Sequence, residues 1–182
     1  IFKKMYYKGI EVARRDFCVF ARKVCKNVLN SLMYDQSVPK VLETLDNDMQ
    51  AMISNNVPYD EFKLSKRLAA SYKVEEDQPH FMVNKRKAER QPGSEYKPGE
   101  RVDYVILNGD PNAKVATLAE CFHYAKEKKL KLNHDWYLNH QMTEPIGRLL
   151  APIPNVPHNL FEKYKGTLKR QRLGLSSLGE FG

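Results

Sequence analysis

The sequence predicts a mainly helical α+β domain with a small β element. Three observations lead there. Apolar residues recur at three- and four-residue steps over residues 10–34 and 38–54, which is helical spacing. A single apolar, β-branched run, Val102 to Leu107, follows a Pro98-Gly99 turn and reads as a buried strand. The 182 residues, 42% of them apolar, are enough for one folded core with or without an appendage.

Taking the elements in order, residues 10–34 form a first helix whose stripe is Phe17, Phe20, Ala21, Val24, Val28, Leu29 and Leu32. Arg15, Arg22 and Lys26 fall on another face, either a phosphate-binding ridge or an ordinary solvated face. A second helix covers 38–54, with Ser37 as N-cap and Pro39 in the first turn. Its acids Glu43, Asp46 and Asp48 make it a poor partner for a polyanion. Asn55-Asn56-Val57-Pro58 breaks the chain. Phe62 and Leu64 alternate with polar residues as a short extended segment, and 65–71 is weakly helical. Residues 79–90 read as a helix that starts at Pro79 and carries a dense basic run, Lys85-Arg86-Lys87 and Arg90. The strand after Pro98-Gly99 ends in Asn108-Gly109, a tight-turn signal. Residues 115–131 then read as one helix with Leu118, Phe122 and Ala125 inside and lysines at its C-terminal end. A last helix begins at Asn133 or Asp135 and runs to about Leu150, with Pro145 as a kink. Pro152, Pro154 and Pro157 read as an extended linker into a short amphipathic tail.

The net charge of +8 is unevenly placed. It divides into +6 over residues 1–34, −5 over 35–62, +4 over 63–101, zero over 102–150 and +3 over 151–182. Two basic segments separated by an acidic helix point to a polarised surface, either one that meets phosphate, as nucleic acid or anionic lipid, or that of a soluble domain that happens to be basic. No apolar run is long enough for a membrane span, and no signal peptide opens the chain, so an intracellular protein is expected. Three cysteines make no disulfide framework; Cys18 and Cys25, two turns apart on the first helix, read as small core residues. The five histidines form no metal pattern with them, and no phosphate-binding glycine loop or nucleophile elbow is present. The chain begins at Ile1, which suggests a piece of a longer polypeptide.

Three stretches in order carry a family signature: Lys4-Met-Tyr-Tyr-Lys-Gly-Ile-Glu-Val-Ala-Arg-Arg-Asp16; Gln78-Pro-His-Phe-Met-Val-Asn-Lys-Arg-Lys-Ala-Glu-Arg-Gln-Pro-Gly93 followed by Gly99-Glu-Arg-Val-Asp-Tyr-Val-Ile106; and Asp135-Trp-Tyr-Leu-Asn-His-Gln-Met-Thr-Glu-Pro145. Over residues 3–150 they resemble the C-terminal part of family B DNA polymerases, of the delta type and of large DNA viruses. The resemblance implies a palm-to-thumb junction over residues 1–16, a mostly helical thumb over 17–151 and a flexible tail over 152–182. Its implied task is to grip the primer–template duplex during replication. Lys8, Gly9, Arg14 and Arg15 would act where palm meets thumb, and Lys66, Tyr72, His80, Lys85 and Arg101 would line the duplex. Tyr104 and Tyr137 would be framework residues.

The family's catalytic aspartates do not occur here, so the fragment alone should be inactive, and the Mg2+ that the intact nucleotidyltransferase needs would be bound elsewhere. The delta-type C-terminal cysteine clusters are also missing, which favours a viral-type end. The implied setting is a nucleus or a cytoplasmic viral replication site. Leu175, Leu178 and Phe181, behind Lys169-Arg170-Gln171-Arg172, are similar to a sliding-clamp peptide, with a frayed end as the other reading. The competing functional reading is a free-standing basic helical protein that binds nucleic acid or scaffolds partners without catalysis.

Overall fold

The computed structural model describes residues 14–174. These residues divide into two compact units, one drawn from 14–58 and 134–174 and the other from 59–133. The architecture is α+β, with one three-stranded antiparallel sheet among helices.

The first unit opens with α1 (Val19–Tyr34) and α2 (Val38–Ile53). The described part of the expected 10–34 helix begins only at Val19. Cys18 is extended (ψ 159°) and its Sγ accepts the Ala21 N–H at 3.4 Å, which caps the helix there. Arg15 therefore precedes the helix and shares no face with Arg22 and Lys26. Burial follows the apolar stripe: Phe20, Ala21, Val24, Cys25 and Val28 are covered on α1, and Val41, Leu45, Met49 and Met52 on α2. Ser37 occupies the N-cap position of α2 but makes no side-chain capping bond; Pro39 sits in the first turn, where a missing N–H costs nothing.

The same unit continues with α6 (His134–Tyr137), one π turn (Leu138–Met142), α7 (Thr143–Leu150) and α8 (Glu162–Arg172). The expected kink at Pro145 is displaced to the π turn before it, where Thr143 Oγ1 donates to the Leu138 carbonyl at 2.9 Å. Pro145 itself lies buried in the first turn of α7. The segment after Pro157 is not extended. It forms α8, which buries Tyr164 and Leu168; the Tyr164 hydroxyl donates to Asp46 of α2 at 2.6 Å, and Arg172 pairs with Asp135 at 3.1 Å.

In the second unit a 3-10 turn (Tyr59–Phe62) leads into β1 (Leu64–Arg67), where a weak helix was expected. Then come a second 3-10 turn (Glu75–Asp77), α3 (Pro79–Arg90) and β2 (Arg101–Ile106). The expected helix over 115–131 is broken into α4 (Val115–Leu118), β3 (Ala119–Cys121) and α5 (Phe122–Glu127). Strand order is β1-β2-β3, with Leu64 opposite Tyr104 and Tyr104 opposite Cys121. Pairing with β2 takes the backbone groups of Ala119–Cys121 that a continuous helix would have used. Asn108-Gly109 does not close a two-residue hairpin, because α4 intervenes before β3. A Cβ at Gly109 would come within 2.5 Å of Leu118 Cδ2, so a larger residue there would make that side-chain tip turn aside.

Strand alternation decides which residues share a face. Leu64, Lys66, Val102 and Tyr104 lie on one side of the β1–β2 pair, and Ser65, Arg67, Arg101 and Asp103 on the other. The second side includes Val105, which forms a small core with Phe122 and Ala125 of α5.

Candidate nucleic-acid interface

The 79–90 helix forms as its sequence suggests, but its basic run does not face solvent as a block. Arg86 turns inward and donates to the carbonyls of Ala116, at 3.0 Å, and Ala119. Burial depresses its pKa, since the guanidinium charge loses hydration there. Arg90 makes a two-pronged contact with Glu120, at 2.7 and 3.0 Å, and its guanidinium lies over the Tyr124 ring at 3.9 Å. Lys87 donates to the Ser94 carbonyl and lies over the Tyr96 ring at 5.1 Å. Three of the four cations thus hold the unit together. The fourth, Lys85, is exposed, with no ion pair or hydrogen bond among the described residues.

The end of the β1–β2 pair is different. Arg67 and Arg101 are cross-strand partners and both are exposed. Like charges directly opposite each other are unfavourable unless solvent or an anion lies between them. Arg101 is braced by Ser65, donating from Nε to Oγ at 3.0 Å and from Nη2 to the carbonyl at 2.8 Å. The Glu100 carboxylate accepts the Lys97 N–H at 2.6 Å and forms no ion pair with Arg101 among the described residues. Lys66, one residue before Arg67, is exposed on the opposite side of the strand pair. Arg67 and the exposed Lys73 were not singled out from sequence, although the strand alternation that exposes Lys66 was visible in Phe62 and Leu64.

Beyond β1 the chain is held in an irregular loop. Leu68 donates to the Glu100 carbonyl at 2.8 Å and accepts from Gly99 at 2.7 Å, continuing the pairing by one step. The Ala69 N–H donates to the Tyr72 hydroxyl at 2.6 Å, and that hydroxyl is 2.6 Å from His80 Nε2. Tyr72 also meets Phe81 edge-on, with ring centroids 5.7 Å apart. His80 is 0% exposed and its Nδ1 has no hydrogen-bond partner among the described residues. Burial, then the nearby Lys66 charge, lowers its pKa to about 4, so the ring is neutral near pH 7.

The sequence-predicted residues therefore fall into separate groups. Lys66, Tyr72, His80 and Arg101 gather around one end of the sheet, and no contact ties Lys85 to them. In the other unit, Arg14 is engaged by Asp16 at 2.6 Å and lies over Phe17, whereas Arg15 is exposed without a partner among the described residues. Lys8, Gly9, Leu175, Leu178 and Phe181 lie outside the described residues. Tyr137 is fully buried and Tyr104 is partly covered. Among the described residues no group of three or more His, Cys, Asp or Glu could hold a metal ion. No helix among them is long and apolar enough to cross a membrane.

Comparison with known proteins places this chain. The family model described as DNA polymerase family B matches residues 1–153. The DNA polymerase delta catalytic subunit of Candida albicans is 30% identical over 84% of this chain and 14% of its own length. The DNA polymerase of Paramecium bursaria Chlorella virus NY2A is 30% identical over 85% of this chain and 17% of its own. The chain thus spans 14 to 17% of the length of these curated relatives. Among solved structures, the family B DNA polymerase from Pyrobaculum calidifontis is similar in fold, with a TM-score of 0.59 and 23% identity over 79% of this chain and 19% of that one. With its matched region covering most of its length, the chain belongs to DNA polymerase family B.

Proposed function

We propose that this chain is the thumb of a replicative DNA polymerase and grips the primer–template duplex while catalytic residues elsewhere in a longer polypeptide extend the primer. The observation that carries this reading is the cross-strand pair Arg67 and Arg101, exposed without a paired carboxylate among the described residues and flanked by Lys66. An arrangement that costs energy in the free protein is relieved by a phosphate backbone. A polymerase must hold any sequence, so contacts to phosphate suit the task better than contacts to base edges. Lys66, Lys85 and Arg101 are the direct contacts on this reading, with Lys8, Gly9, Arg14 and Arg15 nearer the primer end. His80 is too buried to be one. The catalytic Mg2+ belongs to carboxylates outside this chain. The delta-type and viral relatives support a nuclear or viral replication site, and Leu175, Leu178 and Phe181 are proposed as a sliding-clamp peptide.

The test is charge reversal, Lys66→Glu with Arg101→Glu, in the full-length polymerase. Primer–template affinity at fixed salt should fall by about a hundredfold, as two phosphate contacts become repulsions, while the melting temperature moves by only a few degrees. Unchanged affinity would mean that this end of the sheet does not meet the duplex.

A further inference from the structure

We infer that His80 is a positioning residue for duplex binding: acting through Tyr72, it holds the Ala69–Lys73 loop in the shape that receives a backbone phosphate. This inference rests on the proposed duplex-gripping role and adds to it the element that shapes the contact.

With no surface of its own, His80 cannot touch a ligand. What it does touch is the Tyr72 hydroxyl, 2.6 Å from Nε2. That oxygen also takes the Ala69 N–H at 2.6 Å, so a relay from α3 through a phenol fixes the first peptide of the loop. The ring is further held by an edge-on contact with Tyr72, centroids 5.3 Å apart, and lies 6.5 Å from the Tyr104 ring of β2. An imidazole placed in a core with one nitrogen unpartnered is a costly choice there. Phenylalanine would fill the same space without that cost, but it could not hold Tyr72.

The loop has what an anion site needs. The N–H groups of Ala70, Ser71, Tyr72 and Lys73 have no acceptor among the described residues. Consecutive free amides of this kind form a concavity for phosphate oxygens when the backbone is held in place. Lys66 and Arg67 precede the loop and Lys73 lies on it, all exposed. Of the acids that follow, Asp77 is already taken by Lys114 at 2.8 Å. A phosphodiester is the ligand that suits both the amides and the cations.

The experiment compares Tyr72→Phe, His80→Phe and His80→Gln in the full-length polymerase, with Lys66→Glu/Arg101→Glu alongside. Y72F and H80F should each weaken primer–template affinity by about tenfold, roughly the net worth of one partly buried hydrogen bond that orders a loop. The Y72F/H80F double variant should be no weaker than either alone, because the two act as one unit. H80Q, which restores an acceptor near Nε2, should recover most of the loss. Exchange of the Ala69 amide, which the Tyr72 hydroxyl accepts, should quicken in Y72F and stay slow in H80Q, a change that mere loss of stability elsewhere would not produce. Y72F decides the matter if H80F fails to fold. Wild-type affinity in Y72F, together with lost affinity in the charge reversal, overturns the positioning role and leaves the duplex face standing. Unchanged affinity in the charge reversal overturns the duplex face itself.

Discussion

Two basic stretches of the same unit have similar composition and opposite employment. On α3, Arg86, Lys87 and Arg90 are engaged by carbonyls, aromatic faces and Glu120. At the end of β1 and β2, Lys66, Arg67 and Arg101 stay on the surface, where Ser65 braces Arg101. Charge counted along a sequence is therefore not charge offered to a partner. A cation beside unpaired carbonyls or a half-buried carboxylate stabilises the fold. One beside another cation, with no carboxylate paired to it, is available for an anion.

The largest expected effect breaks the first stretch. Arg90→Met leaves the Glu120 carboxylate, 8% exposed, without its guanidinium. Stripping one partner from a mostly covered pair should cost about 3 kcal/mol in urea unfolding. Duplex affinity per folded molecule should not change. A next, smaller effect concerns the histidine beside the second stretch. His80 is held at a pKa of about 4 against an ordinary 6.5, so the unfolded chain binds its proton first. Stability is then complete above pH 6.5 and declines as pH falls toward 4. His134, lowered to about 4 by burial, adds to the decline in the same window. Thermal unfolding of H80Q, followed from about pH 7 to about pH 4.5, should show a shallower decline than the parent. An identical slope would mean that His80 is not the titrating group. The smallest effect is on stability again: Lys66→Ala or Lys85→Ala, both exposed, should change unfolding free energy by less than about 0.5 kcal/mol.

The helices with local signals were legible in the sequence. Pro39 and Pro79 mark the first turns of α2 and α3, and the β-branched run 102–107 overlaps β2, Arg101–Ile106. Elements that depend on distant partners were not. Ala119–Cys121 is a strand because β2 lies beside it, and nothing in Leu118-Ala-Glu-Cys-Phe122 itself breaks a helix. The polar segment Glu162–Arg172 is helical because Tyr164 and Leu168 find cover and Asp46 receives both Lys163 and the Tyr164 hydroxyl from across the sequence. Of the candidate interface, the identities of Lys66, Lys85 and Arg101 could be read in advance, and all three are exposed. The burial of His80 could not, since Gln78-Pro-His-Phe reads equally well as an open helix start. Nor could the engagement of Arg86 and Arg90, whose partners lie 30 to 33 residues away.

The most direct measurement is the salt dependence of primer–template binding by the full-length polymerase, for the parent, for Lys66→Ala/Arg101→Ala and for Arg86→Met. Removing one phosphate-binding cation should reduce the slope of log affinity against log salt by about one. The slope should be shallower by about two in the first variant and unchanged in the second. An unchanged slope in Lys66→Ala/Arg101→Ala, or a shallower one in Arg86→Met, would contradict the division between cations that hold the fold and cations that hold the duplex.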